Sequence, residues 1–335
     1  MLSPFSEKML TVQLRKEKIT FRKEEFEVVH HFYEDLGHEF TTTETDEVTL
    51  QQVYNQYREK YKLPFPEQIQ AIREKYQISA SKMSEVLGFG INVFRQYESG
   101  EVPNQSNARL IQLAKDPAEF RKLVMLSNAF NEKEREKILK RIEGLIQEEK
   151  KDYWQLIINE YLLNADAQPS AKNGYLSPNL AKIQQVIVYL VQHLKPWKTG
   201  LNKLLFYTDF GHYRYHGKSL MGLQYRAIAL GTVPSNYDKI LANVLETDLI
   251  QVEYVPFPNG NIGENYTTEN TFNENLFSAE ELKTLQTVVE NFKDKTTTQI
   301  VALNHQEKAW IDNHEQRGLV DYGYAFGLRW GKIYN

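Results

Sequence analysis

There is no cysteine in the 335 residues. That excludes disulfides, thiolate metal sites and a cysteine nucleophile. No apolar run approaches the roughly 20 residues that a membrane-spanning helix needs. The opening MLSPFSEKML lacks the basic start and apolar stretch of a secretory leader, so the sequence predicts a cytoplasmic protein with no membrane partner. An excess of positive charge is also missing: 40 Lys and Arg stand against 44 Asp and Glu, for a net charge of −4. A protein that coats nucleic acid is usually basic, so any such contact here has to be local. No G-x-G-x-x-G or Walker pattern occurs, and the GFG from Gly88 is not a phosphate loop. No internal repeat is visible.

What remains is a globular composition, 41% hydrophobic and 25% charged, with 20 tyrosines and 17 phenylalanines suited to cores and interfaces alike. The length suggests two or three domains. The patterning predicts a mainly α protein with small β elements, in four stretches. Residues 1–62 read as a small strand-rich unit plus a helix. MLTVQLR from Met9, Lys18 to Arg22 and Phe26 to Tyr33 alternate in strand fashion, and Thr41-Thr42-Thr43-Glu44 offers a cap for a helix through Val53, Tyr54 and Tyr57. Residues 63–127 read as a five-helix domain. Residues 128–170 read as a helical connector: NEKEREKILKRIEGLIQEEKK is a solvated, alternating-charge face over Ile138, Ile142 and Leu145, with a heptad too short for a dimer coiled coil. Asn164 to Ser177 reads as the boundary loop, and 171–335 as an α-rich domain with a small sheet. Within it, NGNIGENYTTEN from Asn259 reads as a polar loop, Thr298 to Asp312 as one helix, and YGYAFGLRWGKIY from Tyr322 as a terminal strand or extended arm.

The stretch SASKMSEVLGFGINVFRQYESGE from Ser79 scans as two short helices around a tight turn. Ser79 is the N-cap, Met83, Val86 and Leu87 point inward, and Gly88 takes the left-handed conformation that ends the first helix. The second helix holds Phe94 and Tyr97 inward and presents Asn92, Arg95 and Gln96 outward. A helix of this kind fits the major groove, where Asn and Gln pair with adenine and Arg with guanine. Lys82 and Arg109 are candidate phosphate contacts. The competing reading is a helix-turn-helix kept as a structural module that only dimerises.

The string LGFGINVFRQYESGEVPNQSNARLIQL from Leu87 resembles the helix-turn-helix of Xre-type regulators and, more closely, MqsA-type antitoxins. Gly88, Gly90, Asn92, Phe94, Tyr97, Glu98 and Gly100 stand at the matching places. In that family the base-reading pair is an Asn and an Arg four residues later. Asn92 matches the first, and Gln96 replaces the second. Such antitoxins often begin with a strand-rich zinc domain held by cysteine pairs. SPFSEKM resembles that opening without its ligands, and although His30, His31 and His38 remain, the expectation is a metal-free β-unit.

LNKLLFYTDFGHYRYHGKSLMGLQYRAIALGTVPSNYDKI from Leu201 resembles the SocA-like antitoxin domain, also called Panacea, and the resemblance runs over 178 to about 315. Lys203, Leu204, Leu205, Tyr207, Gly217, Ala227, Gly231, Val233, Pro234 and Tyr237 occupy its positions, with Thr232 in place of the usual proline. His305, Glu307 and Trp310 resemble its later ending. The resemblance implies a domain that neutralises a toxin by direct contact, or in one branch delivers it for proteolysis. Exposed aromatics are the candidate toxin anchors: Tyr213, Tyr215, Tyr237 and Trp310. Tyr207 and Tyr225 are expected inside.

His212 and His216 have metal-ligand spacing on a helix, with Asp209, His305 and His314 as further candidates, but HExxH is absent and Gly217 ends the helix at once. The sequence therefore points to a non-enzymatic type II antitoxin without metal or cofactor. It would pair with a cognate protein toxin and bind operator DNA as a homodimer, autoregulating its operon. The alternatives are a phage or mobile-element regulator with a partner-sensing C-terminal domain, and a metal-dependent enzyme built around His212 and His216.

Overall fold

The computed structural model describes residues 1–149, 160–163, 168–258 and 260–329. It is about half helical, with short antiparallel sheets, a mainly α fold with small β elements. Two compact units divide the chain: Met1–Val53 with Asn159–Asn335, and Tyr54–Ile158.

In the first unit, β1 (Gln13–Phe21) and β2 (Glu24–Asp35) form a long hairpin. Its two turn residues, Arg22 and Lys23, both have positive φ (49° and 70°), as a tight hairpin turn matched to strand twist requires. β3 (His38–Phe40) pairs with the far end of β2. Helix α1 (Thr43–Tyr61) follows. The Gln52 amide accepts from Val29 N and donates to Val29 O, both at 2.9 Å, so one side chain pairs with β2 as a strand would. The adjacent histidines of β2 separate as period-two geometry dictates. His31 is buried edge-on to Phe326 at 5.5 Å, and His30 stacks on Phe32 at 5.8 Å. This packing makes the hairpin part of the same unit as the C-terminal half. The contact division falls at Val53–Tyr54, inside α1, and the expected boundary at residue 62 lies at the end of that helix.

The rest of this unit is built around a central helix. α8 (Leu180–Leu194), the core helix α9 (Lys198–His216), α10 (Tyr237–Glu246), α11 (Ala279–Phe292), α12 (Thr297–Asn304) and α13 (Lys308–Ile311) are joined by two hairpins. The hairpins are β4 (Tyr225–Ile228) with β5 (Gly231–Pro234), and β6 (Gln251–Pro256) with β7 (Ile262–Thr267). Every residue of α9 from Gly200 to Tyr213 is buried, because α8, α11, α12, β5 and the 3-10 turn Tyr322–Gly327 pack around it. Gly217 (φ +65°) ends it, as its sequence suggested.

Several expectations are corrected in this unit. Residues 262–267 are not a polar loop, because β6 supplies a pairing partner. Thr297–Asn304 and Lys308–Ile311 are two helices, not one. Tyr322–Gly327 is a packed 3-10 turn instead of an arm; 330–335 lie outside the described residues. Of the expected boundary loop, 164–167 also lie outside. Asn173 and Tyr175, by contrast, are buried and tied to Ser219, whose N donates to Gly174 O at 2.9 Å.

In the second unit, α2 (Pro66–Tyr76), α3 (Ala80–Val86), α4 (Val93–Glu98), α5 (Gln105–Leu113) and α6 (Pro117–Leu126) surround Ile72, Met83, Phe94, Ile111 and Phe120. Tyr76 stacks on Phe120 at 3.8 Å and donates its hydroxyl to Ala114 O. α7 (Glu132–Glu149) is not a free connector. Ile138, Ile142 and Leu145 enter this same core, and the Arg141 guanidinium donates to Lys75 O. Beyond the expected end at 127, α7 adds a sixth helix to this core.

Candidate functional site

The outward face of α4 is assembled by three local devices. Ser79 Oγ accepts from Lys82 N and starts α3. Gly88 takes φ +71° and turns the chain, the conformation its position demanded. Ser84, fully buried in α3, accepts from Phe94 N at 3.0 Å and so satisfies a first-turn donor of α4. Asn92 occupies the N-cap position but makes no side-chain cap bond. Its amide is therefore left outward. Asn92, Arg95 and Gln96 are all exposed on one helical face, and among the described residues none of their side chains has a hydrogen-bonding partner. The end of α4 is held by two cations. Arg73 Nε donates to Glu98 at 2.6 Å, and buried Arg58 donates to Gly100 O at 2.6 Å.

Arg109 is exposed on α5. Lys82 is otherwise engaged. Its ammonium donates to Ala129 O, lies 3.6 Å from Glu85 and 3.7 Å from Glu134, and sits over the Phe130 ring. It works as a tie to the start of α7, not as a free phosphate contact. Sequence reasoning missed Ser84, Arg58 and Arg73. The only available signal was a polar or charged residue on an otherwise inward-facing stripe.

The second site candidate is the polar spine of α9. Asp209 is fully buried and accepts from Leu220 N (2.9 Å), Met221 N (2.6 Å), Tyr225 Oη (3.0 Å) and Tyr322 Oη (3.1 Å). Burial pushes its carboxyl up to about 6, against the lowering effect of those four donors. It clamps the loop after α9 and the last 3-10 turn. His212 is also buried, with Nδ1 2.9 Å from Thr284 Oγ1 and its ring stacked on His216 at 4.3 Å. Burial, then the neighbouring His216, hold His212 well below the usual histidine range, and burial brings His216 to about 4. Asp209 and His212 serve different partners. Among the described residues no group of three or more His, Asp or Glu is placed to hold a metal.

One turn from the other end, Lys203 is 1% exposed, and burial lowers its ammonium to about 7. It lies under β5, where a Cβ on Gly231 would meet Lys203 Nζ at 3.1 Å and Asn304 Oδ1 at 2.5 Å. Asn304 accepts from Thr232 N at 2.6 Å, so the residue in place of the usual proline contributes a backbone donor that proline lacks. Glu307 accepts from Arg329 N and from Tyr207 Oη, and burial pushes it up to about 7.

The four aromatic anchor candidates divide. Tyr213 is corrected: it is 5% exposed and packs against Tyr175, Tyr322 and Phe326, so it belongs to the core. Tyr215, Tyr237 and Trp310 are half-buried and lie on three different elements. Trp310 donates its indole N–H to Ile228 O at 2.8 Å and is sandwiched between His305 and His314, which confines its ring. Tyr207 and Tyr225 are buried as expected. The exposed aromatics of this unit include Tyr254 and Phe257, near the β6–β7 turn, which no sequence pattern singles out.

Residues 201–311 match the family described as antitoxin SocA-like, Panacea domain. The matched span begins within α9 and ends with α13. No curated protein and no solved structure matches the chain. Among the described residues no helix is long and apolar enough to cross a membrane.

Proposed function

We propose that the protein is the antitoxin of a type II toxin–antitoxin pair, working in the cytoplasm. The observation that carries this reading is the SocA-like match over 201–311. Neutralisation requires no catalysis, metal or cofactor. The C-terminal domain buries a surface on a cognate toxin, roughly 1,200–2,000 Å² in total for a standard complex. The exposed row Asn92, Arg95 and Gln96 supports a second role, autoregulation, in which α4 enters the major groove of the operator. A homodimer would set two such helices about one duplex turn apart. If toxin binding favours the DNA-competent dimer, DNA favours toxin binding by the same factor.

The experiment is co-expression of the full chain with the product of the adjoining gene, scoring growth and co-purification. A neighbour that arrests growth alone, and is harmless and co-purified with this chain, is the expected result. Absence of any such neighbour, together with turnover of a small molecule by the purified protein, would overturn the reading.

A further inference from the structure

A groove in the C-terminal domain plays no part in the sites described above. The start of α9, the end of α11, the start of α12 and the β6–β7 hairpin enclose about 680 Å³. Its charge is lopsided: Lys195, Lys198, Lys293 and Lys295 line it with a single carboxylate, Glu264, in a chain whose net charge is −4. Lys198 is already committed to Glu264 at 3.1 Å and Asp238 at 3.2 Å. Lys195, Lys293 and Lys295 are exposed. Lys293 pairs with the exposed Glu290 at 2.6 Å, whereas Lys195 and Lys295 have no ionic partner among the described residues. No side chain caps α9, so its first-turn N–H groups add positive potential at the same end.

Between these cations the wall is mixed: Thr199, Thr296, Thr297 and Thr298 line one side, and Trp197, Phe257 and Ile262 form an apolar patch on the other. Trp197 and Phe257 pack with ring centroids 5.1 Å apart, over the backbone of Gly263. A Cβ on Gly263 would meet Phe257 at 2.5 Å and Trp197 at 2.6 Å, so only glycine lets the two rings close there. Phe257 remains 40% exposed and Ile262 68%, an apolar lip on the same groove. A desolvated aromatic floor inside a charged rim is the usual anatomy of a protein–protein hot spot.

We propose that this groove docks an acidic segment of the partner protein, its carboxylates on Lys195, Lys293 and Lys295 and an apolar side chain against Trp197 and Phe257. The identity of that partner as a toxin rests on the antitoxin reading; the chemistry of the groove does not. A small phosphate compound would use the lysines but leave the apolar lip uncovered, whereas a peptide segment uses both. Opposite charge also speeds the encounter and makes it salt-dependent.

The test uses the full chain and a Lys195→Gln, Lys293→Gln, Lys295→Gln variant, with far-UV circular dichroism to confirm folding. The first probe is a fluorescein-labelled peptide, Glu-Glu-Leu-Phe-Glu-Glu, followed by anisotropy beside its lysine counterpart, ATP and inorganic phosphate. The acidic peptide is expected to bind the wild type and to lose affinity at least tenfold in the variant; the lysine peptide is expected to stay free. Equal binding to both proteins overturns the proposal, as does binding of ATP or phosphate with the peptide inert, or no peptide binding at millimolar concentration. The second arm is growth rescue against the adjoining gene's product. Rescue by the wild type and loss of rescue in the variant supports the groove. Equal rescue overturns the groove and leaves the antitoxin reading standing. Failure of the wild type to rescue removes that reading, and the peptide arm still decides the groove.

Discussion

Arg73 Nε donates to Glu98 Oε1 at 2.6 Å, tying α2 to the last residue of α4, the helix that Asn92 opens and that carries Arg95 and Gln96. The two side chains are 21% and 13% exposed, so water screens the pair little. Removing Arg73 leaves the Glu98 carboxylate without this cation, whereas Arg73 without Glu98 keeps a weaker contact to Glu74 at 3.7 Å and a bond to Ile78 O. Arg73→Ala is expected to lower stability by about 1–3 kcal/mol, the usual cost of a lost charged hydrogen bond. Urea unfolding of Arg73→Ala, Glu98→Ala and the double variant checks this; a double variant as damaged as the sum of the singles would show that the pair is not coupled.

The outward row of α4 should behave in the opposite way. Asn92 and Gln96 are exposed, and Asn92 makes no cap bond, so alanine at either position should change stability by no more than about 0.5 kcal/mol. Their loss should appear in DNA selection. Each bidentate pair discriminates by about 1–3 kcal/mol, so operator preference should relax at one base position per substitution. Selection from a randomised duplex pool measures it, and unchanged preference in both variants would remove α4 from the reading role.

Tyr322 joins residues far apart in sequence: its hydroxyl lies 3.1 Å from Asp209 Oδ2 and 2.7 Å from Leu223 O. Tyr322→Phe keeps the ring and its stack on Phe210 but deletes that donor. The expected cost is about 1–3 kcal/mol, because the one hydroxyl proton shared by Asp209 and Leu223 O is gone and a buried acceptor loses its donor. Asp209 should also titrate higher, since one of the donors that lowers it is gone. Thermal denaturation and side-chain carboxyl NMR titration measure the two effects separately.

The parts of this fold that were legible in sequence are those decided within a few residues. Ser79 caps its helix through the neighbour three positions on, and Gly88 and Gly217 end helices through their own φ. The parts that were not legible depend on distant partners. Residues 262–267 look like a loop because nothing local marks a strand; β6 makes them one. The stripe Ile138, Ile142 and Leu145 was visible, but not the core it would join. Tyr213 and Trp310 look alike as surface aromatics in sequence, and only the arrival of Tyr322 and Phe326 buries the first. Lys82 carries no sign in its own neighbourhood that Ala129 and Glu134 will claim it.

Lys203 gives the protein a characteristic pH response. Burial alone lowers its ammonium from 10.5 to about 7. Between those values the unfolded chain holds a proton that the folded chain has lost. The unfolded state therefore binds more protons, and stability rises with pH across that window. The other buried groups act elsewhere. His31 and His216, at about 4, finish their contribution below pH 7. Asp209, raised to about 6, and Glu307, raised to about 7, lower stability as pH climbs from the carboxylate range, and that loss is nearly complete by about pH 8. Tyr207, Tyr225 and Tyr322 are raised above 10, so they oppose folding only from the usual tyrosine range upward. The interval from about pH 8 to 9.5 thus belongs mainly to Lys203. Wild-type urea midpoints should rise across it. Lys203→Met, similar in length and without a charge to desolvate, should be no less stable at pH 7 and should show no such rise. A parallel rise in both proteins would mean that the lysine keeps its proton in the fold.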